Sequence, residues 1–127
     1  MLPARRLLGV TLVSLALGVA AASASAPGVE ARVARVEALL ARAHFREAAE
    51  QAPALRRDVL SMRPSSAARR LLVRTEVAAG TAALALRQET AARICFLRAL
   101  EIEPSLALGG ATPPKVQRAF HAAREGR

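Results

Sequence analysis

Between Gly80 and Pro104 the chain reads GTAALALRQETAARICFLRALEIEP, and this stretch limits the architecture more than any other. Two runs rich in strong helix formers flank a break at Leu86-Arg87-Gln88, and the second run stops at a proline. A break that short turns two helices back alongside each other. The expectation is an antiparallel helical hairpin, one helix ending near Leu86 and the next spanning about 89–102. Ile94, Cys95, Phe96, Leu97 and Leu100 make the second helix apolar on most sides, so it should lie between neighbours. Gly80 weakens the first helix by roughly 1 kcal/mol relative to Ala. A glycine there is understandable if another helix crosses close to its backbone.

The other segments repeat the pattern. Val29, Val33, Val36, Leu40 and Ala43 recur at helical spacing, with Leu39 widening the stripe, which predicts helix one over about 28–43. His44 to Ala48 turns the chain into helix two, running to about Met62. Pro53 is expected to kink that helix or restart it, because proline removes an amide donor and clashes one turn back. Pro64-Ser65-Ser66 gives a stop and an N-cap for helix three, about 67–86, with Ala68, Leu71, Leu72, Thr75, Ala79, Ala82, Ala83 and Leu86 along one side. After a loop containing Gly109-Gly110, Thr112 is the expected N-cap and Pro113 the first residue of helix five, about 113–124. Helix five should bury Val116, Ala119, Phe120 and Ala123 and expose Lys115, Arg118 and Arg124, closing the last hairpin as a cap. No strand-like alternation with turn chemistry occurs. The fold class is all-α.

The N-terminus reads as an address. Arg5 and Arg6 form a positive start, Leu7 to Ala22 an apolar stretch, and Ala22-Ser23-Ala24 a small-residue site for cleavage between Ala24 and Ser25. The apolar stretch is shorter than the roughly 20 residues a spanning helix needs. The alternative is an uncleaved leader that anchors the chain in an inner membrane by residues 7–22, its only expected contact with a membrane. The expected organisation is a signal peptide at 1–24, a short linker at 25–28 and one helical domain at 29–125, delivered to the periplasm or outside the cell.

Net charge is +9, and all but Lys115 of the 19 basic residues are arginine. The arginines are spread over every segment and mixed with Glu, as a GC-rich genome would produce. No aromatic rings are interleaved for base stacking, which argues against nucleic acid. The alternative functions are a basic binder of anionic envelope surfaces or nucleic acid, or a signal-anchored structural subunit of an envelope complex. A core of Leu, Val and Ala with 2% aromatics suits close helices and is poor ground for a small-molecule pocket.

The second hairpin resembles a tetratricopeptide repeat, a unit of roughly 34 residues with small or apolar residues where its two helices cross. Anchoring the repeat's terminal proline on Pro104 starts it at Val73. The family's glycine then falls on Gly80, its alanines on Ala92 and Ala99, and its aromatic on Phe96. Glu76 stands where the family has a large aromatic. In the first hairpin Phe45-Arg46-Glu47-Ala48 looks like the start of the second helix of a repeat, Ala48 matching Ala92 at a spacing of 44 residues, so helix two or the turn after it is lengthened. As a whole 29–125 also looks like small exported proteins of this type from Gram-negative bacteria. The resemblance implies two repeats plus a capping helix, and a non-catalytic scaffold or adaptor in the cell envelope. By position, its partner groove would include Glu37, Leu40, Arg74, Val77, Thr81 and Leu84, with Arg70 and Arg74 able to bind a partner carboxylate. Two hairpins fall short of the three or so that usually bury a continuous core. A protein partner or self-association is expected to supply the missing layer.

No reactive grouping stands out. Cys95 is the only cysteine and sits in the apolar helix four beside Phe96, where a small thiol packs well, with no His close in sequence. His44 with Glu47 and His121 with Glu125 offer two ligands each, fewer than a zinc site uses. No phosphate loop, nucleophile elbow or HExxH motif is present. The expectation is no enzyme, no cofactor and no metal.

Overall fold

The computed structural model describes residues 26–127, which form five helices: α1 (Ala26–Ala41), α2 (Phe45–Leu60), α3 (Ser66–Ala85), α4 (Glu89–Ile102) and α5 (Pro114–Glu125). Among the described residues there is no strand, so the chain is all-α. The expected signal peptide, its cleavage site at Ala24 and Ser25, and the apolar stretch 7–22 lie outside the described residues. No helix among the described residues is long and apolar enough to cross a membrane. α1 begins at Ala26, inside the segment 25–28 expected as a linker.

One turn geometry serves twice. His44 N donates to Leu39 O (2.8 Å) and Ala43 N to Leu40 O (3.0 Å); 44 residues later Gln88 N donates to Ala83 O (2.8 Å) and Arg87 N to Leu84 O (3.0 Å). This paired closure satisfies carbonyls that a helix end leaves open, and it requires a left-handed residue just past the cap. Ala43 (φ 62°) and Arg87 (φ 63°) fill that place, where glycine is the unstrained choice. Ala43 is thus an exposed turn residue and not part of the apolar stripe expected for helix one.

α2 runs unbroken through Pro53, so helix two does not restart there. Pro53 is exposed while Ala48, Ala52, Leu55 and Val59 are all buried on the opposite side. Burial of a Leu or Val side chain is worth about 1.5–3 kcal/mol, so that continuous face offsets the one missing amide bond. At the next junction Ser65 caps α3 by accepting from Ala68 N at 3.0 Å. α5 starts one residue later than expected: Pro113 is the N-cap and Pro114 the first helical residue. The 44-residue spacing includes a 20-residue α3, the longest of the five helices, so the added length is not confined to helix two and its turn.

α1, α2 and α3 pack mutually, α4 packs on α3, and α5 packs on α4. Val29, Val33 and Val36 of α1, Ala48, Leu55 and Val59 of α2, and Leu71, Ala78 and Ala82 of α3 make one apolar cluster. A second joins Ala83 and Leu84 of α3 to Ala92, Phe96 and Leu100 of α4 and Val116, Phe120 and Ala123 of α5. Phe96 and Phe120 meet edge-to-face there, ring centroids 5.9 Å apart. Ala92, Phe96 and Ala99 are at most 1% exposed, whereas Ile94, expected in the same sandwich, is 44% exposed. Arg124, expected in solvent, instead lies over the Phe120 ring at 5.0 Å and donates to Leu106 O, tying the loop after α4 to α5.

Gly80 explains itself in this packing. A Cβ there would sit 2.6 to 2.9 Å from three atoms of the Phe96 ring, so α4 reaches α3 with its largest side chain against bare backbone. That is the close crossing the glycine predicted.

Candidate partner-binding groove

The first turns of α3 and the segment leaving α4 enclose an open groove of about 470 Å³. Val73, Ile102 and Leu106 form its apolar surface, Ser66 and Glu103 border it, and Arg69, Arg70 and Arg74 project from α3. Positions 70 and 74 are one turn apart, as are 69 and 73, so two neighbouring rows of α3 border the groove. Their guanidinium groups differ in commitment. Arg69 donates to Ile102 O at 3.0 Å, pinning the last turn of α4 to α3. Arg74 binds Glu37 of α1 bidentately (Nε to Oε2 3.1 Å, an Nη to Oε1 2.6 Å) with Glu30 3.9 Å away. These carboxylates raise its already high pKa, the Glu37 hydrogen bond most. Arg70 is exposed and has no hydrogen-bond or ion-pair partner among the described residues.

The sequence therefore located part of this surface. Arg70 and Arg74 line one groove, and Glu37 reaches it through Arg74, but the guanidinium of Arg74 is already taken by the chain's own acids. Thr81 is half-buried on the same stripe of α3, with its hydroxyl donating to Val77 O at 2.8 Å. Leu84 belongs elsewhere: it is 5% exposed in the cluster with Phe96 and Phe120, so its side chain supports α5 and offers almost no surface. Val73, Ile102 and Leu106 were missed as groove residues. Leu106 lies past Pro104, beyond any helical periodicity, and only folding brings it beside α3.

A second cluster was also missed. Glu76 of α3 is buried, its side chain 3% exposed, and Arg56 of α2 meets it through two 2.8 Å bonds. The same guanidinium lies 3.8 Å from the Cys95 sulfur of α4, a cation brought across the fold in addition to Arg98 three residues along the chain. The Glu76 hydrogen bond raises the Arg56 pKa, outweighing the opposing effect of burial. Cys95 is shifted up, first by burial and then by the Glu76 charge, against a smaller pull from Arg56. A raised thiol pKa keeps the sulfur protonated and unreactive. The cluster is a polar joint between helices and has the chemistry of neither a nucleophile nor a metal site. Its sequence signal was an acid at 76 on the same stripe as Thr75, Ala79 and Ala83.

A wider trough of about 550 Å³ runs between α4 and α5, over Ala92, Ala119 and Ala122, with Arg93, Lys115 and Arg118 against Glu89. His44 and Glu47 form an exposed pair at 3.7 Å, and no group of three His, Cys, Asp or Glu that could hold a metal occurs among the described residues. No family model, curated protein or solved structure matches this chain, and its function has to be read from the helices and grooves themselves.

Proposed function

We propose that the protein is an exported, non-catalytic helical scaffold that holds a segment of another protein in the cell envelope. The observation that carries this reading is the groove beside α3, an apolar floor with arginines above it. Two features support it. The helix neighbours follow the order of a stacked pair of hairpins, with α1 beside α3 and the same turn closing each hairpin 44 residues apart. Ala48, Gly80, Ala92, Phe96 and Ala99 are all buried and Pro104 is exposed just past α4, which supports reading them through the resemblance to tetratricopeptide repeats. Arg70, Arg74, Val77 and Thr81 lie along one stripe of α3 and make the docking face continuous with α1 through Glu37.

Photo-crosslinking in cells tests the reading. A photoreactive residue at Thr81 is expected to give a discrete adduct with one envelope protein, whereas the same residue at exposed Arg57 on the far side of α2 gives none. Equal labelling from both positions, or none from Thr81, sinks the scaffold reading. Recovery of an exported form whose first residue is Ser25 checks the address.

A further inference from the structure

Resting on the scaffold reading, we infer that the groove beside α3 takes a short peptide segment in which an Asp or Glu adjoins a Leu- or Ile-like side chain. The floor and the rim each select half of that pair. Val73, Ile102 and Leu106 offer apolar surface from three separate parts of the chain, and the cavity, about 470 Å³, is of the size that holds a few side chains. Arg70 stands beside that floor as an exposed cation with no partner among the described residues. A guanidinium binds a carboxylate by two parallel N–H bonds, which fixes orientation as well as adding energy.

The other cations prepare the site. Arg69 is held by Ile102 O and Arg74 by Glu37. Both guanidinium groups are already ordered, so a peptide does not have to immobilise them, and binding loses less to side-chain entropy. Arg74 is neutralised by its acids while Arg70 is not, so the groove presents one directional positive contact rather than a diffuse cationic strip. A nucleic acid backbone prefers a row of free cations, and single-stranded bases prefer aromatic platforms; no aromatic residue lines this groove. Glu103 on the border disfavours a repeating polyanion and tolerates a single carboxylate placed at Arg70.

The test is fluorescence anisotropy of the exported chain with a labelled peptide carrying Asp-Leu-Asp-Leu between Gly-Ser flanks. Replacing both Asp by Asn, or both Leu by Ser, should each weaken binding at least tenfold. Arg70→Glu should weaken the parent peptide at least tenfold, while Arg118→Glu, an equal charge change on exposed α5, should leave it within twofold. Arg70 is exposed and unpaired, so its variant should keep the helical circular dichroism spectrum. Equal loss from Arg70→Glu and Arg118→Glu would mean only net charge is sensed and would overturn the inference. So would undiminished binding of the Asn peptide, or tighter Arg70-dependent binding of a single-stranded DNA probe at physiological salt. Should the peptides fail while the Thr81 crosslink persists, the groove chemistry falls and the scaffold stands; failure of both removes the scaffold too.

Discussion

The two hairpins share a turn and differ in how their helices meet. In α3–α4 a bare Gly80 receives the Phe96 ring, whereas 44 residues earlier the corresponding positions hold Val36 and Ala52, a mid-sized and a small side chain. Charge shows the same divergence. Arg32 of α1 and Glu76 of α3 are corresponding positions, and each pairs with α2, Arg32 with Asp58 and Glu76 with Arg56. The Arg32–Asp58 side chains are 38% and 42% exposed, while Glu76 is 3% exposed. Exposed pairs contribute about 0–1 kcal/mol, but stripping one partner from a buried pair costs about 3–5 kcal/mol. Equivalent register therefore does not mean equivalent energetics. Solvent decides which copy of a contact matters.

The largest expected effects come from the second hairpin. Phe96→Ala should destabilise the chain by about 3–5 kcal/mol in chemical denaturation, while Ala52→Gly in the first hairpin should cost far less. Arg56→Leu alone, which leaves the buried Glu76 unpaired, should cost about 3–5 kcal/mol, and Glu76→Leu added to it should recover most of that loss, because matched apolar replacements of a buried pair are often near neutral. Asp58→Leu should lie within about 1 kcal/mol of the parent. If Asp58→Leu proves as costly as Arg56→Leu, the contrast between the two pairs is wrong.

Next comes Gly80→Ala. Helix propensity alone favours it by about 1 kcal/mol, yet overpacking against Phe96 should make it destabilising by about 1–3 kcal/mol. In a Phe96→Leu background the sign should move back towards propensity. A stabilising Gly80→Ala in the parent would show that the ring moves aside freely. At the turns, Ala43→Gly and Arg87→Gly should each raise stability by up to about 1 kcal/mol, by removing left-handed strain. Unequal gains would show that the two turns are strained differently despite matching hydrogen bonds.

The smallest effect is on the alkaline side. Folding raises the Cys95 pKa above its ordinary value near 9. The unfolded chain therefore loses the thiol proton first, so this contribution is flat below pH 9 and erodes stability as pH rises beyond it. Urea midpoints measured from pH 8 to 10 should fall less steeply in Cys95→Ala than in the parent.

Much of this fold could be read from local chemistry. The turn at Leu86-Arg87-Gln88 and both ends of α4 coincide with the structure, because a short polar break and a closing proline act on neighbouring residues. Gly80 was also legible, since a glycine inside a helix needs a reason and the crossing supplies it. The restart expected as one outcome at Pro53 does not occur, because the local penalty is outweighed by a buried face that runs from Ala48 to Val59 of α2. Arg56, Glu76 and Cys95 come from three helices, and no window along the chain contains them. The groove shows the same division: Arg70 and Arg74 follow from their spacing, while Ile102 and Leu106 join them only through the path of the chain after α4.

The Arg56–Glu76 contact has a consequence for how such a chain can change over generations. Its cation sits on the first hairpin and its anion on the second, so losing Arg56 leaves the Glu76 carboxylate, 3% exposed, without its partner in the interior. A change at position 56 is therefore tolerated best where position 76 is already neutral, which couples variation in one hairpin to variation in the other.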